Sequence, residues 1–277
     1  MLFRSRTVLP RNLLGNISVG LTMIAAAALI GCGGSKPEVT PTAEPAATQA
    51  QQAAAPQYTV DANTTGSVVE GRVMLQGAPP KPKKIEVTQD AGTCGKTREV
   101  STAHIENGGV DDAVVWIDDI QHGKAFGFPP AEMAQKGCAY VPHVMIMPPG
   151  DLKITSQDPI PHNVHTYAPN NREYNESMNA LRKEISLTFA RADVISVKCD
   201  LHGWMQAYIV IAKNPYYALT ASGGKFQLEG VPAGQYHLHV WSESLGESDQ
   251  PITVQAGQPT KADFTLKSPA AQGLGGN

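Results

Sequence analysis

Residues 185–211 read ISLTFARADVISVKCDLHGWMQAYIVI, and this stretch decides the class of fold. Apolar and polar residues alternate at its start, and β-branched residues are frequent on both sides of the central CDLHGWM. Alternation with a period of two is typical of strands that bury one face. The stretch therefore predicts three strands, with a short loop between the second and the third that contains Cys199, His202 and Met205.

The same sequence pattern extends along most of the chain after Gly66. Short β-branched or alternating runs are separated by Gly, Pro, Asn and Asp, and helical periodicity is nearly absent, apart from one turn expected near residues 130–135. This pattern predicts an all-β protein built as antiparallel sandwiches. Upstream of residue 185, the predicted strands cover residues 67–75, 84–87, 110–120, 144–146 and 152–154.

A second unit is predicted after Asn214. Its sequence GKFQLEGVPAGQYHLHVW, residues 224–241, resembles the carboxypeptidase regulatory-like, prealbumin-type β-sandwich modules, and this resemblance implies a fold and no activity. VVEGRVMLQGAPP, residues 68–80, resembles the first strand of such modules, which leaves the N-terminal boundary open. The predicted division is a signal peptide (1–31), a disordered tether (32–65), a metal-binding sandwich with an N-terminal β extension (66–213), a smaller C-terminal sandwich (214–268) and a tail (269–277).

The N-terminus predicts export. Three arginines precede an apolar stretch that is too short to span a bilayer, and LIGC at residues 29–32 resembles a bacterial lipobox. We therefore expect cleavage before Cys32 and lipidation of its thiol, with a chance cysteine after an ordinary signal peptide as the alternative. The expected location is the periplasm or cell surface, anchored to a membrane. Gly33 in place of an aspartate resembles lipoproteins sent to the outer membrane.

Net charge and cysteine content indicate which partners and which cysteine chemistry to expect. The formal net charge is −3 and no basic stripe is present, so nucleic acid is not an expected partner. With Cys32 lipidated, three cysteines remain in an oxidising compartment. A disulfide between Cys94 and Cys138 would leave Cys199 for a metal, whereas two separate buried thiols are the alternative.

Two segments carry the chemistry: DPIPHNVHT at residues 158–166 and KCDLHGWM at residues 198–205. A copper ion that exchanges single electrons needs ligands acceptable to both Cu(I) and Cu(II). A thiolate, two imidazoles and a weak thioether meet that need. Cys199, His202 and Met205 supply three of these ligands from one loop, and His162 supplies the fourth.

PHNVH together with CDLHGWM resembles the plastocyanin, pseudoazurin and amicyanin family of blue copper proteins, the cupredoxins. The resemblance implies a Greek-key β-sandwich with one type-1 copper held by His162, Cys199, His202 and Met205. It also implies that Asn163 ties the two ligand loops together and donates a hydrogen bond toward the Cys199 sulfur. The cysteines at 94 and 138, with a histidine at 143, have no counterpart in simple amicyanins, which leaves the exposure of the copper edge open.

Other interpretations of the histidines stay open. A Cys-x2-His pair also occurs in zinc sites, although no second Cys-x2-His pair is present. His143 and His165 are either extra ligands or structural residues. His237 and His239 resemble half of an oxidase His-x-His pair, but alternation favours a solvated strand face.

The predicted function is a blue copper protein that carries single electrons to a transient redox partner and is not an enzyme. An exposed edge around His202, Gly203 and Trp204 would be the docking point. The alternative is copper binding or delivery, or a lipoprotein that binds carbohydrate or a surface through its C-terminal module.

Overall fold

The computed structural model describes residues 58–61, 63–100 and 103–268. These residues form an almost entirely β structure, which confirms the predicted class. The predicted signal peptide, Cys32, most of the predicted tether and the tail after residue 268 lie outside the described residues. Within the described part of the chain, no helix has the length and apolar character needed to cross a membrane.

Among the described residues, one short helix, α1 (Ala91–Cys94), accompanies twenty-three strands. In chain order the strands are β1 (Thr59–Val60), β2 (Ser67–Gln76), β3 (Lys83–Glu86), β4 (Thr97–Val100), β5 (His104–Glu106), β6 (Gly109–Asp111), β7 (Val114–Ile117), β8 (His122–Gly123), β9 (Glu132–Gln135), β10 (Tyr140–Val141), β11 (Val144–Met147), β12 (Gly150–Ser156), β13 (His162–Tyr167), β14 (Asn175–Met178), β15 (Glu184–Phe189), β16 (Asp193–Lys198), β17 (Gln206–Ile211), β18 (Tyr217–Leu219), β19 (Lys225–Val231), β20 (Gly234–Ser242), β21 (Gly246–Val254), β22 (Thr260–Lys261) and β23 (Phe264–Lys267).

The central sandwich consists of two sheets, with strand orders β10-β9-β12-β15 and β11-β17-β16-β13-β14. Alternation places Ile185, Leu187 and Phe189 of β15 in the core, where they meet Ile195 and Val197 of β16. Strand β9 occupies the residues where a helical turn was expected. That expectation was wrong, because β9 pairs in parallel with β12 at the middle of its sheet.

The flanking sandwich combines strands from both ends of the chain. Its sheets have the orders β18-β7-β20-β21 and β19-β2-β6-β5, and β22 and β23 also pair with β2. Strands β2, β6 and β7 therefore pack with strands after residue 214 and share their core, which differs from the predicted division into domains 66–213 and 214–268. The physical reason is long-range pairing: β7 lies between β18 and β20, and such partners leave no signal in the local alternation.

The predicted tether is also shorter than expected at its C-terminal end. The hydroxyl of Tyr58 donates to the backbone oxygen of Lys124, and the Tyr58 ring packs edge-on against Tyr216. Strand β1 pairs in parallel with β8. Residues 58–61 therefore belong to the flanking sandwich.

A small covering segment, residues 83–100, lies beside the central sandwich. Strands β3 and β4 form an antiparallel hairpin that encloses α1, and α1 ends at Cys94. The structure contains a disulfide between Cys94 and Cys138, so the covering segment is covalently attached next to β10. The two sandwiches meet at a seam in which Val114, Val144 and Val210 are buried.

Candidate metal centre

Three strand ends of one sheet position the predicted ligands. Cys199 follows β16, Met205 precedes β17, and His162 is the first residue of β13. The loop between Cys199 and Met205 is fixed from within, because the Cys199 N–H donates to the Met205 carbonyl (3.2 Å) and the Met205 N–H donates to the His202 carbonyl (2.8 Å). Local hydrogen bonds thus gather three of the four side chains in a seven-residue loop.

The side chains of His162, Cys199 and His202 converge in the interior. Their ligand atoms lie within 4.8 Å of one another. The two Nδ1 atoms are 2.9 Å apart, and the Cys199 sulfur lies 3.9 Å from that of His162 and 3.6 Å from that of His202. All three residues are at most 2% exposed, and Met205, 2% exposed, belongs to the same core.

A carboxylate holds the outer nitrogen of each imidazole, and that of Asp158 is buried whereas that of Asp90 is partly exposed. Nε2 of His162 donates to Asp158 at 3.0 Å, and Nε2 of His202 donates to Asp90 at 3.0 Å. Because a carboxylate oxygen accepts, each Nε2 carries the proton of its hydrogen bond, and the two Nδ1 atoms face inward toward the thiol. Two inward-facing nitrogens and one sulfur in a dry interior can together bind a cation. This donor set fits copper, because thiolate and imidazole ligands suit both of its oxidation states.

The disulfide joins the segment that carries Asp90 to the segment that contacts Asp158. Asp158 accepts the N–H groups of Gly137 (2.7 Å) and Cys138 (2.8 Å), while Asp90 immediately precedes α1. Burial alone would raise the pKa of the Asp158 carboxyl, but these N–H groups and the imidazole hold its pKa below the ordinary value. Burial also lowers the pKa of His162. Both directions favour an ionised Asp158 beside a neutral His162.

Asn163 has part of the role expected for it. Its Oδ1 accepts the N–H of Asp200 at 2.6 Å and so ties the start of β13 to the ligand loop. Its Nδ2, however, donates to Asn175 (2.8 Å) and to the Asp200 carboxylate (2.9 Å). The side-chain amide of Asn163 is therefore directed at two oxygen acceptors and not at the Cys199 sulfur, and a hydrogen bond from this residue to that sulfur stays a prediction.

The structure places the remaining histidines apart from the convergence of His162, Cys199 and His202. His165 pairs with Asp200, and His143 pairs with Glu243 and with the backbone oxygen of Gln206. His237 is exposed and pairs with Asp119.

The expected exposed edge at His202 is absent. His202 is 0% exposed, because Asp90 and the covering segment lie over its outer nitrogen. Gly203 remains exposed. The Trp204 ring is half-buried, lies 5.1 Å from the His202 ring and borders an open cavity of about 320 Å³. The predicted exposed edge is thus absent at His202, present at Gly203 and partly open at Trp204.

Sequence reasoning missed the outer partners. Asp158 lies in the quoted DPIPH segment, four residues before His162, so its position was a usable signal. Asp90 lies far from the ligands along the chain and has no local signal. Tyr140 was also missed: its hydroxyl donates to the backbone oxygen of Asn163 at 2.6 Å, and burial raises its pKa above the ordinary value, which keeps it protonated.

The chain matches one protein family over part of its length and resembles several solved structures. Residues 205–267 match the family described as "Carboxypeptidase regulatory-like domain". No curated protein matches the chain.

Among solved structures, similar chains include a copper-containing nitrite reductase (NirK) from Thermus scotoductus SA-01, with 16% identity and a TM-score of 0.28 over 32% of this chain and 24% of that one. A purple cupredoxin from Nitrosopumilus maritimus has 19% identity and a TM-score of 0.26 over 30% of this chain and 99% of its own. A Cu(I) form of an amicyanin variant has 21% identity and a TM-score of 0.28 over 31% of this chain and 86% of its own.

The matched part thus spans about a quarter of the nitrite reductase and most of the two small proteins. The assignment of the centre rests on its own geometry. The chain is similar to cupredoxins in about a third of its length and carries, at residues 205–267, a match to the carboxypeptidase regulatory-like domain.

Proposed function

We propose that this protein binds one type-1 copper ion through His162, Cys199, His202 and Met205 and carries single electrons between other proteins. The observation that supports this proposal most strongly is the convergence of two Nδ1 atoms and one sulfur in a buried site where neither imidazole can turn away. When bound, copper supplies a one-electron couple.

The residues of the chain would keep that couple reversible. Asp158 and Asp90 hold the imidazoles in one orientation, so little rearrangement accompanies a change of charge. The fully buried ligands exclude water. Trp204 is the partly exposed ring next to His202, and we propose that electrons enter and leave on its side.

The same features favour a carrier over the rival function of copper delivery. A delivery protein needs a ligand that can move to a partner and release the ion. Here His202 is 0% exposed and is covered by a segment that a disulfide attaches.

We also propose that the chain is not an enzyme, and that its redox partner forms a small, transient complex.

Redox cycling in the presence of a Cu(I) chelator tests the proposal. The copper-loaded full chain should take up one electron per protein and return it over repeated cycles, with the copper retained at each reduction. Transfer of the copper to the chelator on reduction would instead support delivery.

The location of the protein is a further part of the proposal. We infer a lipid anchor on Cys32 and a periplasmic or surface position, most consistent with the outer membrane, from LIGC at residues 29–32 and the glycine that follows. Mass spectrometry of the N-terminus should show an acylated Cys32, and an unmodified thiol there would contradict it.

A further inference from the structure

Two strands of the central sandwich that lead to copper ligands are not joined by backbone pairing at the ligands themselves. The antiparallel pairing of β13 with β16 ends where His165 lies opposite Lys198. Beyond this pair β13 begins at His162 and β16 leads into Cys199, and within the described residues no backbone pair joins these two ends. Side-chain contacts therefore set the separation of the two ligands.

Tyr140 supplies such a contact from the other sheet of the sandwich. Its hydroxyl donates to the backbone oxygen of Asn163 at 2.6 Å and lies 3.1 Å from the backbone oxygen of Lys198. Asn163 directly follows His162, and Lys198 directly precedes Cys199. One hydroxyl thus contacts the residue next to each ligand, at the place where a backbone hydrogen bond between the strands is missing.

The position of the Tyr140 side chain is itself fixed. Tyr140 is 3% exposed and lies opposite Gln135, where β10 pairs with β9. The buried side-chain amide of Gln135 donates to the same Asn163 oxygen at 3.1 Å, so both lone pairs of that oxygen are used. The disulfide at Cys138 also holds the turn between β9 and β10. The hydroxyl of Tyr140 therefore has little freedom to follow a movement of the ligands.

Stability alone does not explain the polar group beside Tyr140. The Oε1 atom of Gln135 is buried and has no hydrogen-bond partner within the described part of the chain. Burying an unpaired polar atom is unfavourable, and an apolar side chain of similar size would avoid the loss of solvation. What the amide adds is its second end, which donates to Asn163 next to the Tyr140 hydroxyl.

We propose that Tyr140 is a positioning residue of the copper site, and that its hydroxyl keeps the separation of His162 and Cys199 the same in both oxidation states. This inference rests on the proposed function and extends it to a residue that is not a ligand. Groups that hold the ligands in place tune a metal site, and fast electron exchange requires that the ligands move little. Without the hydroxyl, the two strand ends are free to adjust when the charge of the ion changes.

The variant Tyr140→Phe, which removes only the hydroxyl oxygen, tests this proposal in the full chain. It should still bind one copper ion, but the intense visible band should shift in wavelength. The rate of electron self-exchange between oxidised and reduced protein should fall about tenfold. In the metal-free protein, the backbone amide of Asp200, which donates to Oδ1 of Asn163, should exchange its hydrogen about tenfold faster, because the two strand ends separate more easily.

The matched control is Tyr174→Phe, because the Tyr174 hydroxyl also donates to a backbone oxygen, that of Thr188 at 3.0 Å on β15, a strand that carries no ligand. It should leave the visible band, the self-exchange rate and the exchange of the Asp200 amide at wild-type values. Wild-type values in Tyr140→Phe overturn the proposal, as do equal changes in both variants. A wild type without copper absorption would instead refute the copper assignment, and this proposal with it.

Discussion

The central and flanking sandwiches have the same kind of architecture, but the histidine–carboxylate pairs of His162 and His202 in the first differ in burial from the pair of His237 in the second. In the central sandwich His162 and His202 lie at most 1% exposed, each with a carboxylate on its outer nitrogen. In the flanking sandwich His237 has a carboxylate partner too, but its side chain is 58% exposed. A histidine–aspartate pair is therefore not by itself a site. The difference lies in burial, and in a second imidazole and a thiol that share the same interior point.

Removing one buried histidine should give the largest effect. His162→Ala removes one of the four proposed copper ligands. Copper affinity should therefore fall by more than about 100-fold, which exceeds the usual effect of losing a residue that only hydrogen-bonds to a ligand. His237→Ala in the flanking sandwich should leave copper binding unchanged. Copper titration of both variants checks the comparison, and a similar loss in both would contradict it.

Removing the charge on an outer partner should give a smaller effect. Asp90→Asn keeps a hydrogen-bond acceptor for Nε2 of His202 but loses the carboxylate, so the imidazole becomes a weaker donor. We expect copper affinity to fall about 10-fold and the reduction potential to rise, because Cu(II) loses more stabilisation than Cu(I).

The control for this variant is Asp119→Asn, which changes the exposed partner of His237 in the same way. Its reduction potential should equal that of the wild type. If Asp90→Asn also has the wild-type potential by voltammetry, Asp90 does not influence the centre.

Met205 should influence the reduction potential of the copper centre without being required for copper binding. Met205→Gln replaces a thioether with an amide oxygen, which favours Cu(II), so the potential should fall while copper and some visible absorption remain. Voltammetry together with absorption measures both properties. Complete loss of copper would show that Met205 is a binding ligand rather than a weak axial contact.

The smallest effect concerns the contact that joins the two regions. The hydrogen bond to Glu243, opposed by burial, raises the pKa of His143. A raised pKa in the folded state stabilises the protein fully below the unfolded value near 6.5, and the contribution is lost as the pH rises through the folded pKa.

Glu243→Gln should therefore lower the melting temperature of the metal-free protein by about 2–4 °C at pH 5.5 and by less at pH 9. Thermal melts in a chelating buffer at both pH values measure this. An equal decrease at both would show that the charge on His143 is not involved.

The sequence predicted what local patterns can encode. Alternation in β15 and β16 identified strands and their buried faces, and the spacing within residues 199–205 identified a loop whose Cys199 and His202 side chains converge with His162. Partners brought in from far along the chain could not be predicted. Asp90 reaches His202 only because a hairpin near the N-terminus folds over the centre, and β7 enters the flanking sandwich by pairing with β20.

The central claim is that the Cys199 sulfur binds copper, and the visible spectrum of the Cu(II)-loaded full chain tests it most directly. Covalent sulfur–copper bonding should give an intense charge-transfer absorption that disappears on reduction and returns on oxidation. Cys199→Ser should lack that absorption even where His162 and His202 retain some metal, because a hydroxyl is a poor ligand for either copper state. An intense band that persists in Cys199→Ser, or a wild type that stays colourless with Cu(II), would contradict the account.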